Sequence, residues 1–129
     1  FNILVVEDNP INQIVAKECL KKLNYQFVVV ENGLLALEYL NTQPEPPINL
    51  ILMDCQMPVM DGFTATEKIR AAEASLFYQH IPILALTANV IESERERCIQ
   101  MGMDDFLAKP LCLQTLSALL DKWLIHTPR

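Results

Sequence analysis

Apolar residues gather in five short runs along the chain, and each run stops at a polar or charged residue. Ile3 to Val6 stops at Glu7-Asp8, Phe27 to Val30 stops ahead of Asn32-Gly33, and Ile48 to Met53 stops at Asp54. Ile83 to Leu86 stops at Thr87, and Phe106 to Ala108 stops at Lys109-Pro110. Continuous apolar runs of this length, several rich in β-branched residues, predict buried strands. Between them the apolar positions return at helical spacing. Ile11, Ile14, Val15, Cys19 and Leu23 follow Asn9-Pro10, a capping residue and a proline suited to the first helical position. Leu34, Leu37 and Leu40 follow Asn32-Gly33, and Phe63, Thr66 and Ile69 follow Asp61-Gly62, a turn and cap. A polar stretch with Glu92, Glu94, Arg95, Glu96 and Arg97 predicts a fourth helix that Gly102 can end as a left-handed residue. Leu111, Leu116, Leu119, Leu120 and Trp123 mark a closing amphipathic helix. The proline-rich segment from Thr42 to Pro47 predicts a surface loop.

Five alternating strand and helix units, with strands apolar on both faces, predict an open α/β domain with a parallel sheet covered on both sides. In such sheets ligands collect at the carboxyl ends of the strands, where the strand order reverses. Glu7 and Asp8, Asp54, Thr87 and Lys109 all fall on that edge. Each alone has an ordinary explanation as a cap, a strand threonine or a solvated lysine. Their coincidence is what points to chemistry.

At 129 residues the chain fits one domain, 1–129. Its hydrophobic fraction of 51% predicts a packed core. A formal charge of −6 without a basic block argues against direct nucleic-acid binding. No apolar stretch is long enough to predict a membrane span, no leader opens the chain, and the expected compartment is the cytoplasm. The four cysteines lack a CxxC pair and are expected to be buried, reduced and structural. The start at Phe1, straight into a strand, suggests a piece of a longer protein. His80 and His126 have no ligand or nucleophile at metal spacing and are expected to be exposed.

Three carboxylates brought together would repel unless a cation sat among them. Mg²⁺ suits such a site, since it takes oxygen ligands and is commonly shared by one or two carboxylates and a phosphate. A carboxylate can attack phosphorus while a metal, a lysine and a hydroxyl neutralise the transferring oxygens.

With these residues in place the chain resembles, over essentially its whole length, a response-regulator receiver domain. The resemblance implies a doubly wound, flavodoxin-like (CheY-like) sheet in strand order 2-1-3-4-5. By it, Asp54 in Leu-Ile-Leu-Met-Asp-Cys-Gln-Met-Pro-Val-Met-Asp-Gly matches the phosphoacceptor, and Glu7 and Asp8 match the acidic pair that holds Mg²⁺. Asp8, Asp54 and the backbone carbonyl of Gln56 would be direct ligands, with Glu7 acting largely through water. Thr87 matches the hydroxyl that turns toward the phosphoryl group, the N–H of Ala88 would help hold it, and Lys109 matches the family lysine, followed by a cis bond to Pro110. Phe106 matches the aromatic that swings inward when the threonine closes; its other reading is an ordinary core residue. Gln56 and Asn89 occupy positions that tune the lifetime of the aspartyl phosphate. No core position departs from the pattern.

Within the family, Asp8-Asn9-Pro10-Ile11-Asn12, Met57 to Gly62, Leu86 to Asn89 and Gly102 to Asp105 look most like receivers fused to hybrid sensor histidine kinases. That resemblance implies a phosphoryl donor in a histidine kinase or kinase core of the same chain, a histidine phosphotransfer domain as partner, and a parent protein that an inner membrane could anchor. A free-standing, chemotaxis-type regulator is the alternative. From a different class, a Mg²⁺-dependent phosphohydrolase would need a second acid two residues after its nucleophile, where Gln56 cannot donate a proton. A receiver-like fold that only binds partners would leave the chemical positions unexplained.

Overall fold

The computed structural model describes residues 1–73, 75–88 and 92–125. Five strands, β1 (Asn2–Val6), β2 (Gln26–Val30), β3 (Leu50–Asp54), β4 (Ile83–Thr87) and β5 (Asp105–Ala108), alternate with five helices. These are α1 (Pro10–Lys22), α2 (Gly33–Asn41), α3 (Gly62–Arg70), α4 (Glu92–Gln100) and α5 (Leu113–Leu120). The strands form one parallel sheet in the order β2-β1-β3-β4-β5. The expected doubly wound fold is therefore the observed one.

Strand periodicity divides the core in two. Ile3, Val5, Leu50, Leu52, Leu84 and Leu86 face α1 and α5, where Ala16, Leu20, Leu116 and Leu120 meet them. Leu4, Val6, Ile51, Met53, Ile83 and Ala85 face the other way, onto Ala36 and Leu40 of α2, Phe63 and Ile69 of α3, and Cys98 of α4. β1, β3 and β4 are buried throughout, which is why they read as unbroken apolar runs. The edge strands β2 and β5 are only half buried.

Side chains cap three helix starts, at Asn9 and Asp61 as the sequence predicts and at Asn32, which the sequence marked only as a break. The Asn9 side chain accepts from Ile11 N (2.8 Å) and Asn12 N (3.2 Å), Asn32 from Leu35 N (2.9 Å), and Asp61 from Thr64 N (2.8 Å). Gly102, at φ +100°, ends α4 in the left-handed region, with Met103 N donating to Cys98 O (2.9 Å).

Several expectations need correction. Ile11 and Ile14 are 72% and 58% exposed, because α1 meets the sheet through Ala16, Cys19 and Leu20 instead. The third strand begins at Leu50; Ile48 N donates to the Tyr78 hydroxyl (3.2 Å) and Asn49 N to Asn2 O (2.8 Å). The last helix starts at Leu113, not Leu111, and runs into a π-helical turn, Asp121–Ile125. Cys19, Cys55 and Cys98 are buried free thiols, but Cys112 is exposed at the cap of α5. Among the described residues no helix is long and apolar enough to cross a membrane.

Candidate functional site

Register brings the site together. Val6 lies opposite Met53, Asp54 opposite Leu86, and Thr87 opposite Ala108, so the strands end in step. Glu7, Asp54, Thr87 and Lys109 consequently line one edge of the sheet. The chain passes from β1 to β2 on one side and then back to β3 on the other, which opens a crevice at the ends of β1 and β3.

Lys109 is the centre of charge there. Its Nζ lies 2.9 Å from Asp54 Oδ2 and 3.0 Å from Glu7 Oε1. Glu7 is 1% exposed and Asp54 3%. Backbone donors hold the carboxylates: Asn9 N donates to Glu7 Oε2 (3.1 Å) and Gln56 N to Asp54 Oδ1 (3.2 Å). Gln13 Nε2 donates to the Glu7 carbonyl (2.6 Å), which ties the first turns of α1 to the end of β1.

Burial, followed by the neighbouring Glu7 carboxyl, pushes the Asp54 carboxyl up to about 7, against the pull of Lys109. Burial acts on Glu7 in the same sense, yet hydrogen bonds with Asp54, the Asn9 N–H and Lys109 outweigh it and hold Glu7 below its ordinary range. Burial would lower Lys109, but the two carboxylates raise it. One lysine thus faces two buried carboxyls, and Asp54 is the one whose ionisation their crowding disfavours.

Asp8 is exposed and supplies the third carboxylate; Glu7, Asp8 and Asp54 each offer an oxygen within 4.8 Å of the others. Three carboxylates facing a single lysine make a hard oxygen set that fits a divalent cation of the Mg²⁺ kind. Beside it Asp54, Cys55, Gln56, Leu86, Thr87, Ala88 and Lys109 line a polar cavity of about 120 Å³. Lys109 N donates to Thr87 O (2.9 Å), and the Lys109-Pro110 peptide is cis, as the family resemblance implied.

The sequence matches residues 3–121 to the response regulator receiver domain model. The chain belongs to that family. This receiver domain is 47% identical over 122 residues to the hybrid signal transduction protein dokA of Dictyostelium discoideum, covering 95% of the chain and 7% of dokA. It spans only 5 to 14% of the length of curated relatives of this kind. It is similar to the receiver domain of sensor histidine kinase PA1611 from Pseudomonas aeruginosa PAO1, whose crystal structure has a magnesium ion in the active-site cleft. That match has 42% identity and a TM-score of 0.84 over 95% of this chain and 96% of the other. The receiver domain of Ssk1, crystallised with the histidine phosphotransfer protein Ypd1 of Saccharomyces cerevisiae, is 30% identical with a TM-score of 0.85, covering 97% and 89%.

Other candidate positions sort readily. Phe106 is half buried on β5, with the Arg95 guanidinium carbon 4.6 Å from its ring centre. Gln56 and Ala88 are exposed at the rim, while Asn89 and His126 lie outside the described residues. His80 is exposed. Asp61-Gly62 is the cap of α3, but backbone freedom is not the reason for the glycine. A Cβ on Gly62 would lie 2.1 Å from the Asp54 carbonyl oxygen, so this position packs directly against the backbone of the central carboxylate. Sequence reading passed over the closeness of Gly62, the Gln13 brace and the Arg95 contact, none of which leaves a periodic signal.

Proposed function

We propose that Asp54 accepts a phosphoryl group from a phosphohistidine, and that the domain serves a phosphorelay within a longer, hybrid-kinase-type protein. The observation that carries this reading is Lys109 Nζ standing 2.9 Å from Asp54 and 3.0 Å from Glu7 at the mouth of a small polar cavity. Asp8, Asp54 and the Gln56 carbonyl would hold Mg²⁺, with Glu7 beside them. When bound, Mg²⁺ supplies charge neutralisation at the phosphoryl oxygens.

In the step itself one Asp54 carboxylate oxygen attacks phosphorus, the P–N bond breaks, and the imidazole nitrogen keeps the electron pair and takes up a proton. Lys109 ion-pairs with the developing phosphoryl charge, and the Thr87 hydroxyl and Ala88 N–H donate to its oxygens. Thr87 closing on the group is coupled to Phe106 moving inward, which shifts the balance between two conformations read at α4, β5 and α5. Donor and acceptor partners are a histidine kinase core and a histidine phosphotransfer domain, the latter by similarity to the Ssk1 receiver crystallised with Ypd1.

Incubation with Mg²⁺ and acetyl phosphate tests the reading by intact mass. A phosphate adduct is expected that disappears with EDTA and with Asp54→Asn; its absence in the unaltered protein would sink the proposal. Sustained release of phosphate from unrelated phosphomonoesters would favour a hydrolase instead.

A further inference from the structure

Helix α4 is seated on the sheet in an unusual way. Its sequence, Glu-Ser-Glu-Arg-Glu-Arg-Cys-Ile-Gln, is almost wholly polar, and among residues 93–100 only Cys98 is buried; Ile99 is 63% exposed. Within residues 93–100 apolar burial therefore contributes little to holding it. The Cys98 thiol rests 3.9 Å from the Cys55 sulfur, and two arginines make further contacts. The Arg95 guanidinium carbon lies 4.6 Å from the centre of the Phe106 ring, and that of Arg97 lies 4.1 Å from the centre of the Phe63 ring. At 100° per residue, positions 95 and 97 fall on opposite flanks of the helix with Cys98 between them. Arg95 thus grips β5 and Arg97 grips α3.

The two aromatic rings differ in kind. Phe63 is 3% exposed in the first turn of α3, beside Gly62 and the Asp54 backbone, and is held on all sides. Phe106 is half buried, three residues before Lys109, at the edge where an exposed side chain such as Arg95 reaches it. A guanidinium over an aromatic face is an attractive contact whose strength depends on that placement.

We propose that Arg95 is a positioning residue for the phosphorylation switch: it holds Phe106 at the outer edge of the sheet and so opposes the inward move that accompanies closure of Thr87. This rests on the reading of Asp54 and Phe106 given above. Arg97 contacts a ring that does not change place, so it seats α4 equally in both conformations. A contact made in one conformation only shifts the equilibrium by its own worth, and by linkage it weakens binding of whatever favours the other conformation.

Beryllium fluoride with Mg²⁺, a phosphoryl mimic that requires no donor protein, provides the probe, with affinity measured by calorimetry on the intact domain. Arg95→Ala is expected to tighten binding by about two- to fivefold, the range an exposed cation–π contact supplies. Arg95→Lys is expected to lie between the two. Arg97→Ala is expected to lower the melting temperature without changing affinity.

The sign separates this from simple electrostatics, because removing a positive charge near an acidic site would weaken binding of an anion. In a Phe106→Ala background Arg95→Ala is expected to have no effect, which isolates the pair. Unchanged or weakened binding in Arg95→Ala, or an effect that survives in the Phe106→Ala background, overturns the proposal. Failure of the unaltered protein to bind the mimic overturns the phosphoacceptor reading itself, and this inference with it.

Discussion

Asp54 is a carboxyl buried beside another carboxyl, and Lys109 alone cannot fully compensate the pair. Its folded pKa is raised from 3.8 to about 7, so its contribution to stability is fully present below 3.8 and is lost as pH rises toward 7. Glu7 is lowered and acts in the opposite direction below its ordinary range of 4.5. Between pH 4.5 and about 7 the Asp54 effect is therefore the one that shows. In EDTA, the melting temperature of the unaltered protein is expected to fall relative to that of Asp54→Asn across this window, because the asparagine cannot ionise. Mg²⁺ at a hundredfold excess over its dissociation constant would add about 2.7 kcal/mol to the unaltered protein. It would add little to Asp54→Asn. Parallel curves for the two proteins in EDTA would show that burial does not strain this carboxyl.

The elements carry the site by where they end. β1, β3, β4 and β5 stop in register, and α3 starts so close to β3 that Gly62 admits no side chain: a Cβ would meet the Asp54 carbonyl oxygen at 2.1 Å. The obstacle is backbone, which cannot rotate away. Gly62→Ala is expected to displace the start of α3 and to destabilise by about 1–3 kcal/mol, the usual scale of overpacking. Denaturant midpoints measure this, and a change near zero would mean that β3 and α3 can separate at little cost. Because the displaced backbone belongs to Asp54, slower formation of the phosphate adduct is expected alongside the lost stability. α4 is a contrasting element: among residues 93–100 only Cys98 is buried, and its thiol contact is joined by two arginines over aromatic rings.

Across the whole molecule, the end of the sheet opposite the carboxylates is closed by Arg70. Its guanidinium donates to Gly102 O (2.8 Å), Gln79 O (3.0 Å) and Ile81 O (2.7 Å), and pairs with Asp104 (2.8 Å), whose carboxylate also accepts from Ile83 N. One side chain from α3 thereby joins the segments that lead into β4 and β5. Arg70→Met would leave these acceptors short of partners and is expected to lower stability by about 3 kcal/mol, with some relief because the site is partly exposed. The phosphate adduct at Asp54 is expected to form still in the folded fraction, since the two sites lie at opposite ends of the strands. Loss of the adduct without loss of stability would contradict that separation.

The chain's own pattern determined the elements and the five strand-end residues, because strand and helix periods are local and apolar runs end where side chains must reach water or a ligand. It also determined the caps at Asn9 and Asp61, which depend on neighbours within a turn. Tertiary structure decided the rest. Only folding could show that Lys109 reaches both Glu7 and Asp54, that Gly62 serves close approach, and that Ile11 and Ile14 turn outward while Ala16 and Leu20 take the sheet. The same holds for Cys55 and Cys98 meeting beneath α4 while Cys112 stays in solvent, and for Arg95 settling over Phe106. These are contacts between residues distant in sequence, set by how the helices lie on the sheet, and no repeat along the chain records them.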